Sequence, residues 1–307
     1  MVRLGLAEST CFSDNHLATL SGQEGVSFTG IYLPDNHPAA NHNFNCVPVI
    51  KDHCQLIAGS DILVFSGNPS NNYELIVAAL RDSRHILMPK PIFLSRKKVD
   101  HLLKLAEEAG VALKFSQPLH FHPVMDKVQE LLTKPEYVEI KRRINLTGAE
   151  NDIKHIMTGS LSECTDVSLF TNNSNLKKYK ILHLPVASDE PEMIHTRLEL
   201  DNACIINIQL DRFRGEEIFE SIYYQNGIEV RADLVNNRVT VIRTDQPGEE
   251  TYSCIPGDPS DALVAEIQQF IKIIRTDSSQ HRPGTNGHIS FLISSNVWHQ
   301  LAYSLAI

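Results

Sequence analysis

The sequence predicts a two-domain α/β protein: an N-terminal doubly wound parallel sheet, then a C-terminal α+β domain with a broad, mostly antiparallel sheet. Before about residue 120, short apolar runs alternate with helical periodicities, the pattern of a parallel sheet with crossover helices. Beyond about residue 136, strand-like runs succeed one another with turn signals between them. The 307 residues also exceed the roughly 250 at which a single core stops growing. The expected division is 1–120 and 121–307.

Taken in order, Val2–Leu6 is an apolar strand, Glu8–Asn15 a polar turn and His16–Leu20 a helical repeat. Val26–Leu33 is a second strand, ending in Pro34-Asp-Asn-His-Pro38. Asp61–Phe65 is a third, ending in Ser66-Gly-Asn-Pro-Ser70. Tyr73–Arg81 is an amphipathic helix and His85–Met88 a strand that runs into Pro89-Lys90-Pro91. Ser95 caps a helix that Gly110 ends, and Val111–Phe115 is the next strand.

The second half offers strands at Tyr137–Arg143, Tyr179–Val186, Ile194–Leu200, Ala203–Leu210, Ile218–Tyr224, Ile228–Leu234 and Arg238–Arg243. Turn signals at Gln225-Asn226-Gly227 and Asn236-Asn237 suggest an antiparallel meander. Helices are expected over Asp261–Arg275 and Ile289–Ala306.

Composition narrows the function classes. A net charge of −9 gives no basic footprint for nucleic acid or an anionic membrane, so neither partner is expected. No stretch approaches the roughly 18 apolar residues of a membrane span, and a soluble, cytoplasmic protein is the expectation. The six cysteines form no C-x-x-C pair and read as structural thiols. Asn145-Leu-Thr147 and Asn172-Asn-Ser174 match the glycosylation tripeptide without an export signal beside them.

Several segments in order resemble the glucose-fructose oxidoreductase and inositol dehydrogenase (Gfo/Idh/MocA) family of NAD(P)-dependent sugar oxidoreductases. They are the first strand and helix with His16, the turn at 61–70, the helix with Ala78-Ala79-Leu80 and the segment His85–Pro91. Glu107-Glu-Ala-Gly-Val111, Leu119-His-Phe-His-Pro123, Ser174–Lys178, Ser188–Pro191 and Arg197–Asn202 continue the series. The resemblance implies a Rossmann-like first domain, NAD or NADP as cofactor, a sugar or polyol-like small-molecule ligand, and a homodimer or higher homo-oligomer covering the sheet of the second domain.

The family's cofactor turn is Gly-x-Gly-x-x-Gly, which lets a pyrophosphate approach the backbone and rest on a helix N-terminus. Aligned on His16, those three positions are Glu8, Thr10 and Ser13. A Glu8 carboxylate beside the pyrophosphate costs on the order of 4 kcal/mol at about 4 Å and an effective dielectric near 20. Ser9 or Thr10 would instead cap the helix, and these two residues, Asn68 and Lys90 are the cofactor contacts the alignment leaves. The ribose-binding acid is replaced by Leu33, with Asp35 two residues later, and the family's Thr-Pro-Asn turn reads Gly67-Asn68-Pro69.

The family's Glu-Lys-Pro tripeptide is here Pro89-Lys90-Pro91, so the lysine that would hydrogen-bond substrate persists without its glutamate. The acid/base histidine falls on Glu163 and its aspartate partner on Gly159, with Asp166 read as the start of a short helical run Val167–Phe170. The catalytic candidates are therefore Lys90, Glu163 and Asp166, at an interdomain cleft. His120 and His122 alternate and would share a strand face, with no third ligand beside them, and no metal site is expected.

Two functions follow. One is a family-fold protein that has lost or strongly altered hydride transfer and binds a small ligand or partner in the cleft or on the open face of its second sheet. The other is an active NAD(P)-dependent dehydrogenase with an atypical cofactor turn.

Overall fold

A computed structural model describes residues 1–7, 12–33, 47–90, 94–145, 153–184, 192–244, 249–252 and 261–276. Glu8, Ser9, Thr10, Asp35 and the helix expected over Ile289–Ala306 lie outside the described residues. By its contacts the chain divides into Met1–Gln117 with Leu263–His288, and Pro118–Ala262 with Ile289–Ile307.

The first unit is built on six parallel strands: β1 (Val2–Ala7), β2 (Val26–Tyr32), β3 (Val49–Ile50), β4 (Ile62–Phe65), β5 (His85–Met88) and β6 (Leu113–Phe115), in the order β3-β2-β1-β4-β5-β6. Ile62–Phe65 is buried throughout, as a strand covered on both faces must be. Helices α1 (Asp14–Ser21), α2 (His53–Gly59), α3 (Tyr73–Arg81) and α4 (Arg96–Ala109) connect the strands. The αL residue Gly110 (φ 65°) ends α4, whereas Ser95 at its N-cap makes no side-chain capping bond. Helix α2 lies so close to β1 that a Cβ on Gly5 would stand 2.3 Å from Ser60 Oγ.

The second unit starts with a 3-10 turn, Pro118–Phe121, and α5 (Pro123–Leu131). Its eight strands are β7 (Tyr137–Arg143), β8 (Leu176–Leu184), β9 (Met193–Leu200), β10 (Ile205–Asp211), β11 (Ile218–Gln225), β12 (Ile228–Asp233), β13 (Arg238–Arg243) and β14 (Glu249–Tyr252). A 20-residue helix, α6 (Ile153–Asn172), packs Met157, Leu161, Cys164 and Val167 into the core beneath the sheet. The hairpin turn Asn226-Gly227 has positive φ at both residues, as the sequence signal requires.

Three differences from the sequence reading have physical causes. First, β10 and β11 are not neighbours: β7 lies between them, parallel to β10 and antiparallel to β11, so the sheet is not a simple meander. Second, α7 (Ala262–Thr276) packs Val264, Ile267, Phe270 and Ile271 into the core of the first unit, so a single cut near residue 120 puts this helix on the wrong side. Its apolar stripe states that it must be buried but not against which sheet. Third, Asp166 does not start a helical run; it sits deep inside α6.

Candidate functional site

In a doubly wound sheet, ligands bind outside the carboxyl ends of the strands where the strand order reverses. Here that point lies between β1 and β4, where the Ser66 amide donates to the Ala7 carbonyl at 3.2 Å. The helix that follows β1 begins at Ser13, not at Ser9 or Thr10. Ser13 Oγ accepts from the His16 amide (3.2 Å), and the Ser13 amide donates to His16 Nδ1 (3.3 Å). This reciprocal box gives the Ser13 and His16 amides partners within the chain, and Asp14 adds a carboxylate in the first turn. Ser13 has φ −79° and ψ 163°, an ordinary extended conformation that needs no glycine. Residues 8–11, which hold the rest of that turn, lie outside the described residues.

Asn68 organises the turn after β4: its Oδ1 accepts from the Ser70 amide (2.9 Å), and its carbonyl accepts from the Asn71 amide (3.0 Å) and Asn72 Nδ2 (3.3 Å). Those bonds hold the turn in place. Lys90 is half-buried just past the carboxyl end of β5. Asn68 and Lys90 thus stand beyond the ends of adjacent strands β4 and β5. Glu163 and Asp166 belong to the other unit, one helical turn apart on α6, with Glu163 half-buried and Asp166 3% exposed.

The histidine pair is not on a strand. His120 lies in the 3-10 turn and stacks on Phe170 of α6 with centroids 3.9 Å apart. His122 is the N-cap of α5, its Nδ1 accepting from the Val124 amide at 3.2 Å. A proline at the first helical position and a capping side chain before it end the strand pattern there.

A pocket that local sequence reading missed opens on the outer face of the second sheet, with a volume of about 340 Å³, within the range of small-molecule sites. Strand register builds it. Across β9, β10, β7 and β11, His195, Gln209, Lys141 and Glu220 stand in one row. The next row carries Asn207, Glu139 and Ile222, and Tyr137 closes the end. Asn207 Nδ2 donates to the Tyr137 hydroxyl (2.6 Å), which donates to Glu139 Oε1 (3.0 Å). Burial, with Glu139 as acceptor, raises the Tyr137 phenol above its ordinary range against the opposing pull of Asn207, so it stays protonated. Beside the pocket, Asp211, fully buried, is paired with Arg143 at 2.7 Å.

The outer face is therefore mixed and largely polar, not the apolar surface expected of a sheet awaiting a cover. Its chemistry suits a ligand with many hydroxyls: carboxylates and amide oxygens accept, the Lys141 ammonium and amide nitrogens donate, and Tyr137 and Ile222 offer apolar surface. The alternation within β7 and β10 predicts that Glu139, Lys141, Asn207 and Gln209 face outward. Only the lateral pairing shows that they meet.

Residues 5–117 match the model of the oxidoreductase family with an NAD-binding Rossmann fold. No curated protein sequence matches the chain. Among solved structures, the chain is similar to UDP-N-acetylglucosamine 3-dehydrogenase GnnA from Acidithiobacillus ferrooxidans, with 18% identity, 96% of each chain covered and a TM-score of 0.81. A dehydrogenase from Clostridium difficile gives 15% identity, 99% of each chain and 0.80. An oxidoreductase from Agrobacterium radiobacter, solved with NAD+, L-tartaric acid and magnesium, gives 12% identity, 95% of this chain, 94% of that one and 0.79. At these identities the likeness is one of fold.

Proposed function

We propose, from the match of residues 5–117 to the oxidoreductase family whose Rossmann fold binds NAD, that the chain belongs to that family, has left hydride transfer and binds a small polyhydroxylated ligand. The observation that carries this reading is the Ser13–His16 capping box at the helix N-terminus where the family's third glycine would stand. Glu8 and Thr10 at the other two glycine positions, and Gly159 and Glu163 in place of an aspartate and a histidine, point the same way. Hydride transfer needs all these roles filled at once. The ligand belongs to the sugar or polyol class, and the pocket of Tyr137, Glu139, Lys141, His195, Asn207 and Gln209 is where it binds. A cytoplasmic setting, with the Cys54 and Cys204 thiols kept reduced, goes with this reading.

Calorimetric titration of the ligand-stripped protein with NAD+, NADH, NADP+ and NADPH tests the loss. No heat of binding up to about millimolar is expected, and micromolar affinity would overturn it. Glu8→Gly with Thr10→Gly and Ser13→Gly should then restore measurable dinucleotide affinity. Continued absence of binding would remove the turn as the cause. A parallel titration with hexoses and cyclitols should find a binder whose affinity drops roughly tenfold in Asn207→Ala.

One observation favours the second reading, an active NAD(P)-dependent dehydrogenase of a sugar or polyol. Lys90 is kept at the carboxyl end of β5, beside a strand order that keeps its reversal point. Under that reading Lys90→Met abolishes turnover in a folded protein.

A further inference from the structure

We propose that Asp52, His53 and Cys54 form a binding site for a borderline-soft divalent transition-metal cation, with Zn2+ as its representative. The three are consecutive at the junction of β3 and α2, all exposed, and their ligand atoms lie within 4.8 Å of one another. With metal–sulfur and metal–nitrogen bonds of about 2.3 and 2.0 Å, tetrahedral coordination places neighbouring donors roughly 3.5 Å apart. Closing the remaining gap requires the three exposed side chains to rotate toward one another.

Local structure holds the donors in place. Asp52 is the N-cap of α2, its Oδ1 accepting from the Cys54 amide at 2.9 Å, which leaves Oδ2 for a cation. The His53 ring meets the Tyr32 ring edge-on at 5.9 Å, so one wall beside the imidazole is formed by the end of β2. The position also has meaning in the fold. Residues 52–54 directly follow β3, at the carboxyl edge of the parallel sheet, the edge on which such sheets bind ligands.

Carboxylate, imidazole and thiol together select for zinc-like cations over magnesium or calcium, which take oxygen ligands alone. On binding, the Cys54 thiol gives its proton to solvent and the thiolate bonds the metal. One carboxylate and one thiolate then balance the two positive charges, and water completes the coordination.

The probe is Co2+, added to the full-length reduced protein, with Zn2+ titrated calorimetrically in parallel. One equivalent should give a thiolate-to-cobalt charge-transfer absorption, and Zn2+ should displace it with release of a proton. Cys54→Ser should abolish the band. His53→Ala, and Asp52→Asn, which keeps the capping acceptor, should each weaken binding by roughly tenfold or more. All three substitutions are at exposed positions, and unchanged circular dichroism checks that they fold. Absence of the band, or its survival in Cys54→Ser, overturns the proposal.

Discussion

Ser13 shows how one side chain secures the start of a helix. Its hydroxyl and amide close a reciprocal pair with His16, so the first turn of α1 is stabilised from within the chain. Ser13→Ala should cost about 1 kcal/mol, read as a lower urea midpoint with an unchanged slope. A loss much smaller than that would mean that the cap contributes little and that its amides are available to a ligand. His122 plays a similar part at α5, but with a titratable acceptor. Burial holds its imidazole below the ordinary 6.5, and the Leu234 backbone offsets this only in part. The unfolded chain therefore binds a proton near and below pH 6.5 that the folded chain resists, so this stability is present above 6.5 and is lost as pH falls. Protonation at Nδ1 also removes the acceptor for the Val124 amide. The urea midpoint is expected to drop between about pH 7.5 and about pH 5.5, and His122→Asn, which retains a capping acceptor, should flatten that drop. An equal drop in the variant would assign the pH dependence to other groups.

At the scale of elements, α7 is the segment whose address sequence leaves open, and one buried carboxylate helps to settle it. Glu266, fully buried on α7, accepts from Ser116 Oγ (2.6 Å) and the Gln117 amide (2.8 Å) and pairs with Lys114 Nζ (3.0 Å). All three partners lie in β6 or just beyond it, so a single side chain ties the helix to the edge of the first sheet. Glu266→Ala strips donors of their acceptor inside the core and should destabilise the protein by about 3 kcal/mol in chemical denaturation. A cost below about 1 kcal/mol would assign the docking of α7 to Ile267, Phe270 and Ile271 alone.

For the whole molecule, the open face of the second sheet is one surface on which copies could meet. The central rows carry Glu139, Lys141, His195 and Glu220, so a homodimer built on this face would be held by charge pairs as well as by area. Such a dimer should weaken in sedimentation equilibrium as salt rises from about 0.1 to about 1 M, because the screening length falls from about 10 to about 3 Å. An association indifferent to salt would lie on another surface. Among the described residues, no helix is long and apolar enough to cross a membrane.

The sequence by itself determined the alternation of strands and helices in the first unit, the run of strands in the second, and the absence of a Gly-x-Gly-x-x-Gly pattern after β1. Each of these is written in local patterns: burial at period two or 3.6, and residue types that a turn or phosphate contact requires. Tyr73–Arg81, Tyr137–Arg143 and Arg238–Arg243 coincide with their elements for that reason. Tertiary structure alone decided that β7 inserts between β10 and β11, that α7 returns to the first sheet, and that the two histidines beyond residue 117 lie on a 3-10 turn and a helix cap. It also decided that Glu139, Asn207 and His195 share one pocket. These outcomes depend on which distant segments pair, and an alternating strand states which of its faces is buried without stating which strand lies beside it.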